Sequence, residues 1–533
     1  MSTLLVVCVL IPIVTAALAF LWPGGRRARA RVSIVGMLAL VLAAALLLRE
    51  VMLHGVLVAH MGGWNAPMGI TLVADPLGAL LVAVAALVGL AVSIHAVEDI
   101  PDEVAVNGFD SFLHLLVAGV VGAFLTGDIF NLYVWFEVML ISSFALMVPG
   151  GDRVRLDGAV KYIVLNLVST VILLTSIGLL YGLTGTLNMA DLAGKLPGVE
   201  NQELVTVVSV LFLIAFGIKA AVFPLFFWLP ASYHTLPISV SALFAALMTK
   251  VGVYALLRTF TLLFTGDEAL IRGVVLAAAL ATMVVGVLGA MTHTDMRRIL
   301  AYHVISSIGF MLLGLGLGSA LAMSASIFYM VHGILVKALL FMLIGLVATA
   351  GGSFELGRLG GLYRTRPGFS MLFLLAALAL VGIPPLSGFW AKLALVEAGI
   401  ASGAGWVLAT LLLTSLLTFV PMIRIWSEAF WKDAPPAANG SDGEPGTPAR
   451  GGARGAGDAA DARGARADGS SVAGTGNGGR DARLVPVIGL SLVLLGIGLA
   501  PGSLLELADD AAAGLLDPRA YIDGVLGTTG ENP

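Results

Sequence analysis

The stretch FGIKAAVFPLFFWLP, residues 216–230, decides the fold. It lies in an apolar run that begins near residue 204 and is long enough to cross a membrane. Yet it places Lys219 five residues before Pro224. A charged side chain at the bilayer centre costs about 2.5–3.5 kcal/mol on insertion scales. A proline inside a helix frees a carbonyl that neighbours must satisfy. A span that carries both reads as a broken helix with an ionisable group at the midplane, the arrangement that lines ion paths.

The rest of the chain fits a membrane setting. Of 533 residues, 59% are hydrophobic and 12% charged, against about 25% charged in soluble domains. Fourteen apolar runs are expected to span: 3–22, 32–49, 73–95, 111–127, 129–148, 159–183, 204–230, 237–263, 271–292, 299–318, 321–349, 370–399, 404–430 and 484–501. The fold class is therefore all-α and polytopic. Gly127–Asp128 leaves almost no loop between two spans, and residues 56–72 read as a short hairpin with Gly and Pro at its turn. The first run has no basic residue before it, so it reads as a span rather than a removable signal. The one cysteine, Cys8, can form no internal disulfide and no metal cluster alone. No pair or triad of His, Cys or Asp has metal-ligand spacing, and no cofactor is expected. Residues 434–483, rich in Gly, Ala, Asp and Arg, read as a disordered loop. No Gly-x-x-x-x-Gly-Lys-Ser/Thr pattern occurs there or elsewhere, so ATP is not expected to drive the chain directly.

Arginine sets the expected orientation. Arg26, Arg27, Arg29 and Arg31 lie in the first loop, Arg153 and Arg155 in the fifth, Arg297 and Arg298 in the ninth, and Arg358, Arg364 and Arg366 in the eleventh. Odd-numbered loops thus face the cytoplasm and both termini lie outside. The acidic loop 98–110 dissents, but acidic residues weigh little in that rule.

Lysine is distributed differently. Of seven lysines, Lys161, Lys219, Lys250, Lys337 and Lys392 fall inside expected spans. Arginine stays protonated, whereas a lysine in a membrane can lose and regain a proton. Lys161, at the start of its span, can simply snorkel to the interface. Lys219, Lys250 and Lys392 are central, and Lys392 follows the Pro384–Pro385 pair. Tyr254 and Arg258 follow Lys250 at four-residue steps; this polar stripe reads either as a hydrated path or as a bundle contact. Glu137, set among aromatic and aliphatic residues, is the acid that matches these bases, as a proton site or a structural salt bridge. His332 and Lys337 share a span but lie about 140° apart, while Tyr329 shares the face of His332. A lone His of this kind suits either packing or a proton relay. Asp75, His234 and His303, near expected span ends or loops, carry weaker signals.

Pro224 and the Pro384–Pro385 pair break the seventh and twelfth spans, five apart. A repeat of an odd number of spans must insert its second copy upside down. The segments GIKAAVFPLFFWLPASYHTLPISVSALFAALMTKVGVYALLR (217–258) and HTDMRRILAYHVISSIGFMLLGLGLG (293–318) resemble the antiporter-like membrane subunits shared by respiratory complex I and the Mrp cation/proton antiporters. Residues 72–99 and 126–147 look most like the D-type Mrp subunits. The resemblance covers nearly all of the chain except 434–483. It implies fourteen spans, two inverted five-helix repeats and broken seventh and twelfth helices. The parts are then an N-terminal three-helix segment (1–110), repeats at 111–263 and 271–430, the loop, and a last span with its tail (484–533). It also implies a proton path through Glu137, Lys219, Lys250, His332, Lys337 and Lys392, with Glu137 and Lys219 as a gating pair. Exchange of protons for sodium in a hetero-oligomer of the bacterial inner membrane follows from it. A redox-driven pump subunit of a complex I-like dehydrogenase or hydrogenase is the alternative within the family. A membrane-embedded transferase would need clustered acids or His on a large polar loop, and an inert scaffold would leave the central lysines unexplained.

Overall fold

The computed structural model describes residues 2–150, 153–266, 268–433 and 482–527. The expected loop at 434–483 lies outside the described residues except for its last two positions. Each of the fourteen apolar runs holds a helix or a pair of helices. They are α1 (Ser2–Leu21), α2 (Arg26–His54), α3 (Pro76–Asp99), α4 (Phe109–Leu125), α5 (Ile129–Met147), α6 (Arg153–Thr184), α7 (Gln202–Ala220), α8 (Ile238–Leu262), α9 (Glu268–Thr292), α10 (Met296–Leu317), α11 (Ala320–Gly351), α12 (Pro367–Val381), α13 (Ser387–Ala401), α14 (Gly405–Ile425) and α15 (Leu484–Leu499). Two amphipathic helices, α16 (Gly502–Leu516) and α17 (Arg519–Leu526), close the described chain. Among the described residues, eleven helices are long and apolar enough to cross a membrane, or twelve if α15 and α16, bent by 81°, count as one. α4 and α12 are apolar but shorter.

The expected hairpin is an antiparallel ribbon of β1 (Leu57–His60) and β2 (Thr71–Ala74), with Leu57 opposite Ala74 and His60 opposite Thr71. It is a small departure from an all-α fold.

Short polar caps start the helices where the loops are tightest. Asp128 accepts from the Asn131 N–H at 2.7 Å, and only three residues separate the ends of two helices at the Gly127–Asp128 split. Asp295 accepts from the Arg297 N–H at the start of α10. Both caps also bridge to a residue sixty positions onward, Asp128 to Asn188 and Asp295 to Glu355.

α11 is the hub. It packs against α3, α8, α10, α12, α13, α15 and α16, and its apolar window, like that of α8, is wholly buried in protein. The two expected breaks are present. α7 stops at Ala220, Ala221 turns left-handed at φ 59°, and a helical turn resumes at Trp228–Ser232. The Trp228 indole donates to the freed Ile218 carbonyl at 2.8 Å. α12 stops at Val381, Gly382 turns at φ 92°, and α13 carries the chain on. Breaks of this kind persist in a membrane because side chains satisfy the freed carbonyls.

Candidate functional site

The first group of the site stands where α5, α6 and α7 meet. The Thr170 hydroxyl donates to Glu137 Oε1 at 2.7 Å, and Lys219 Nζ donates to Thr170 Oγ1 at 3.4 Å. The donors run in one direction, from ammonium to hydroxyl to carboxylate, which is the full capacity of a single hydroxyl proton. Lys219 is buried and also lies 4.8 Å from the centre of the Phe136 ring. Glu137 and Lys219 interact electrostatically, but a threonine bridges them where a direct pair was expected. Glu137 is half-buried rather than fully enclosed.

Lys250 lies one helix further in. It is fully buried on α8, just after a π-helical turn at Phe244–Met248, and its Nζ donates to the Ala245 carbonyl at 2.5 Å. Such turns widen a helix locally and leave carbonyls for other donors. Gly252 brings this helix onto the break in α7. A Cβ at that position would stand 2.6 Å from the Ala220 nitrogen and 2.9 Å from the Lys219 carbonyl carbon. Gly252→Ala is therefore expected to push the Lys250 helix off the end of the Lys219 helix, with the roughly 1–3 kcal/mol cost of overpacking. A lower thermal midpoint than that of the parent protein, at matched expression, is the expected readout.

The second group surrounds α11. His332 Nδ1 is 2.9 Å from Ser387 Oγ at the start of α13. Gly388 allows that approach, since a Cβ there would stand 3.0 Å from the His332 ring. Tyr329 meets the His332 ring edge-on at 5.8 Å, as their shared face predicts. Lys337 is fully buried, and its Nζ has no hydrogen-bond partner among the described residues. Its charge interacts with those of Lys250 and Lys392. Lys392, buried on α13, donates to the Val381 carbonyl at 2.7 Å and so caps the break in α12 with its own side chain.

Three residues belong to this arrangement although their sequence signals were weak or absent. Thr170 is one. His303 is another: it is buried on α10, its Nε2 has no partner among the described residues, and it is coupled to both Lys337 and Lys392. The third is Asp75. Its carboxylate caps α3 through the Gly78 N–H at 2.8 Å and pairs with Arg258 at 2.5 Å, both side chains being buried. The Tyr254 hydroxyl donates to the Phe124 carbonyl at 3.1 Å. The stripe after Lys250 thus ties α8 to α3 and α4, a bundle contact rather than an open hydrated path. Arg258→Met leaves Asp75 buried without its partner, which costs about 3–5 kcal/mol. A lower thermal midpoint is expected, recovered in part by the Asp75→Asn/Arg258→Met double variant.

The remaining sequence candidates lie apart from the site. Lys161 is exposed and paired with Asp157, as the snorkelling reading predicts. His234 sits in the loop before α8 and contacts Arg298 at 3.2 Å. Burial, with Arg298 beside it, holds its imidazole below the usual range.

The arrangement can be set beside known proteins. Residues 126–418 match the family model described as "NADH:quinone oxidoreductase/Mrp antiporter, TM". The chain is 36% identical to the D-type subunit of the Na(+)/H(+) antiporter of Alkalihalophilus pseudofirmus, covering 99% of this chain and 100% of that one. It is 41% identical to the D-type subunit of the Na(+)/H(+) antiporter of Bacillus subtilis, covering 72% and 78% respectively. Its fold superimposes on a chain of the Mrp complex from Dietzia sp. DQ12-45-1b with a TM-score of 0.86 at 35% identity, covering 99% of both. With more than half its length inside the family model and near full-length relatives above 30% identity, the chain belongs to the family of membrane subunits shared by NADH:quinone oxidoreductases and Mrp antiporters.

Proposed function

We propose that this chain is the proton-translocating subunit of a multisubunit sodium/proton antiporter in the bacterial cell membrane. The observation that carries the reading is the line of four buried lysines, three of them beside a helix break or a widened turn, in a chain similar over its full length to a D-type Na(+)/H(+) antiporter protein. In this reading Glu137, Thr170 and Lys219 form the gate, Lys250 is the central site, and Lys337, with His303 and His332 beside it, passes charge to Lys392. A change of protonation at one site alters its neighbours through the low-dielectric interior. Sodium moves the other way, with the other antiporter subunits as partners.

The same reading takes 111–263 and 271–430 as inverted repeats. The paired caps support it: Asp128 and Asn188 stand 167 positions before Asp295 and Glu355. That offset carries Thr170 onto Lys337 and Glu137 onto Val304, next to His303. Odd-numbered loops face the cytoplasm in this scheme, with the 434–483 loop among them, and both termini lie outside. The arginine pattern supports that orientation.

The test is sodium-induced proton movement in everted vesicles that carry the whole complex, with and without this chain. Exchange that needs this chain and no electron donor supports the proposal. Proton movement that appears only with an added reductant would favour the redox-driven pump.

A further inference from the structure

We propose that the groove between α1 and α2 is a binding site for one anionic phospholipid. The groove has a volume of about 710 Å³ and is lined almost wholly by apolar side chains, including Val14, Leu18, Val35 and Ala39. Its floor is closed where Gly36 presses against Thr15 with no side chain between them. From Val7 to Trp22 it follows α1 for roughly 22 Å, at 1.5 Å per residue, which suits an extended acyl chain. Trp22 and Arg31 line its loop end.

The arginines there divide into two pairs. Arg26 is held by Asp102 and by the Val97 carbonyl. Arg29 is half-buried and donates to the Trp22 carbonyl. Arg27 and Arg31 are exposed and have no hydrogen-bond or ionic partner among the described residues. They stand four residues apart, on one face of α2; Arg31 lines the loop end of the groove and Arg27 lies one turn before it. A basic loop accounts for orientation whichever way its arginines point. It does not account for an unpaired guanidinium at the end of an apolar slot with a second one helical turn away. A phosphodiester answers both demands: its charge accepts from the guanidinium forks, and its acyl chain fills the slot below. Basic pockets between membrane helices hold lipid headgroups on the same principle. The proposal is independent of the transport reading, since it uses no residue of the lysine line.

The test uses the whole complex reconstituted in phosphatidylcholine vesicles with a minority of phosphatidylglycerol, then extracted and weighed by native mass spectrometry. Phosphatidylglycerol should be retained in preference to phosphatidylcholine. The Arg27→Gln/Arg31→Gln variant should weaken that retention roughly thirtyfold, the value of two basic residues at an anionic surface. Ala39→Trp, which fills the slot, should expel lipid of both kinds, while Arg49→Gln at the far end of α2 should change nothing. A photo-crosslinker at position 39 should label lipid. Equal retention of the two lipids, retention unchanged in the double arginine variant, or a crosslink to a protein chain would each overturn the proposal.

Discussion

Replacing Lys392 by arginine is expected to abolish sodium-dependent proton movement while the chain still inserts and assembles. The side chain has two jobs that this substitution separates. Its Nζ donates to the Val381 carbonyl and closes the broken end of α12. Under the proposed mechanism it must also release a proton. Arginine keeps a donor of similar reach, so the carbonyl stays satisfied, but it does not deprotonate in a protein. A loss on the order of a hundredfold or more follows, because the required neutral form is out of reach. Lys392→Glu inverts the pattern. A protonated carboxyl can still donate to Val381, whereas an ionised one leaves that carbonyl unpaired. Glutamate should therefore keep measurable exchange with a shifted pH optimum, and assemble less well. If Lys392 does no more than cap the helix, arginine is the tolerated change and glutamate the damaging one. Proton flux across a pH series in everted vesicles, at matched expression, distinguishes the two.

The parts of this site that were legible in the sequence share one property: they violate a local rule. Lysine inside an apolar run, and proline in the middle of a helix, are costly wherever the chain goes. Their positions therefore mark the breaks in α7 and between α12 and α13 without any knowledge of packing. Thr170 violates nothing. A threonine in a membrane helix commonly bonds to its own backbone one turn back, as Thr175 does with Val171. Its meeting with Glu137 and Lys219 depends on three helices converging. Arg258 was visible as part of a polar stripe, but its partner Asp75 stands 183 residues away. Pairing over that distance is a property of topology, so the stripe suggested a hydrated path, with a bundle contact as the alternative. His303 was discounted for lying near the start of its apolar run. α10 begins at Met296, before that run, and packing against α9 and α11 buries the position all the same. The β-ribbon was legible as a turn, because Gly and Pro mark it, but its register needed the two strands side by side.

The Thr170 bridge gives the second large expected effect. Thr170→Val keeps the shape and removes the one hydroxyl between Glu137 and Lys219. A hydrogen bond to a charged group is worth about 1.5–3 kcal/mol, so exchange should fall roughly ten- to a hundredfold. Thr170→Ser restores the hydroxyl and should restore most of the rate. The discriminating measurement is a double-mutant cycle. Glu137→Ala and Lys219→Ala should each abolish exchange, which leaves no rate from which to read a coupling. Glu137→Asp is the better partner: it keeps a carboxylate but shortens the arm that meets Thr170. In that background Thr170→Val should cost little more, because a bridge already broken cannot be broken again. If the two losses instead multiply in full, Thr170 acts on α6 packing and not on the Glu137–Lys219 link. Thermal midpoints of the same four proteins separate these cases independently, since a packing defect lowers the midpoint in both backgrounds and a lost relay need not lower it in either.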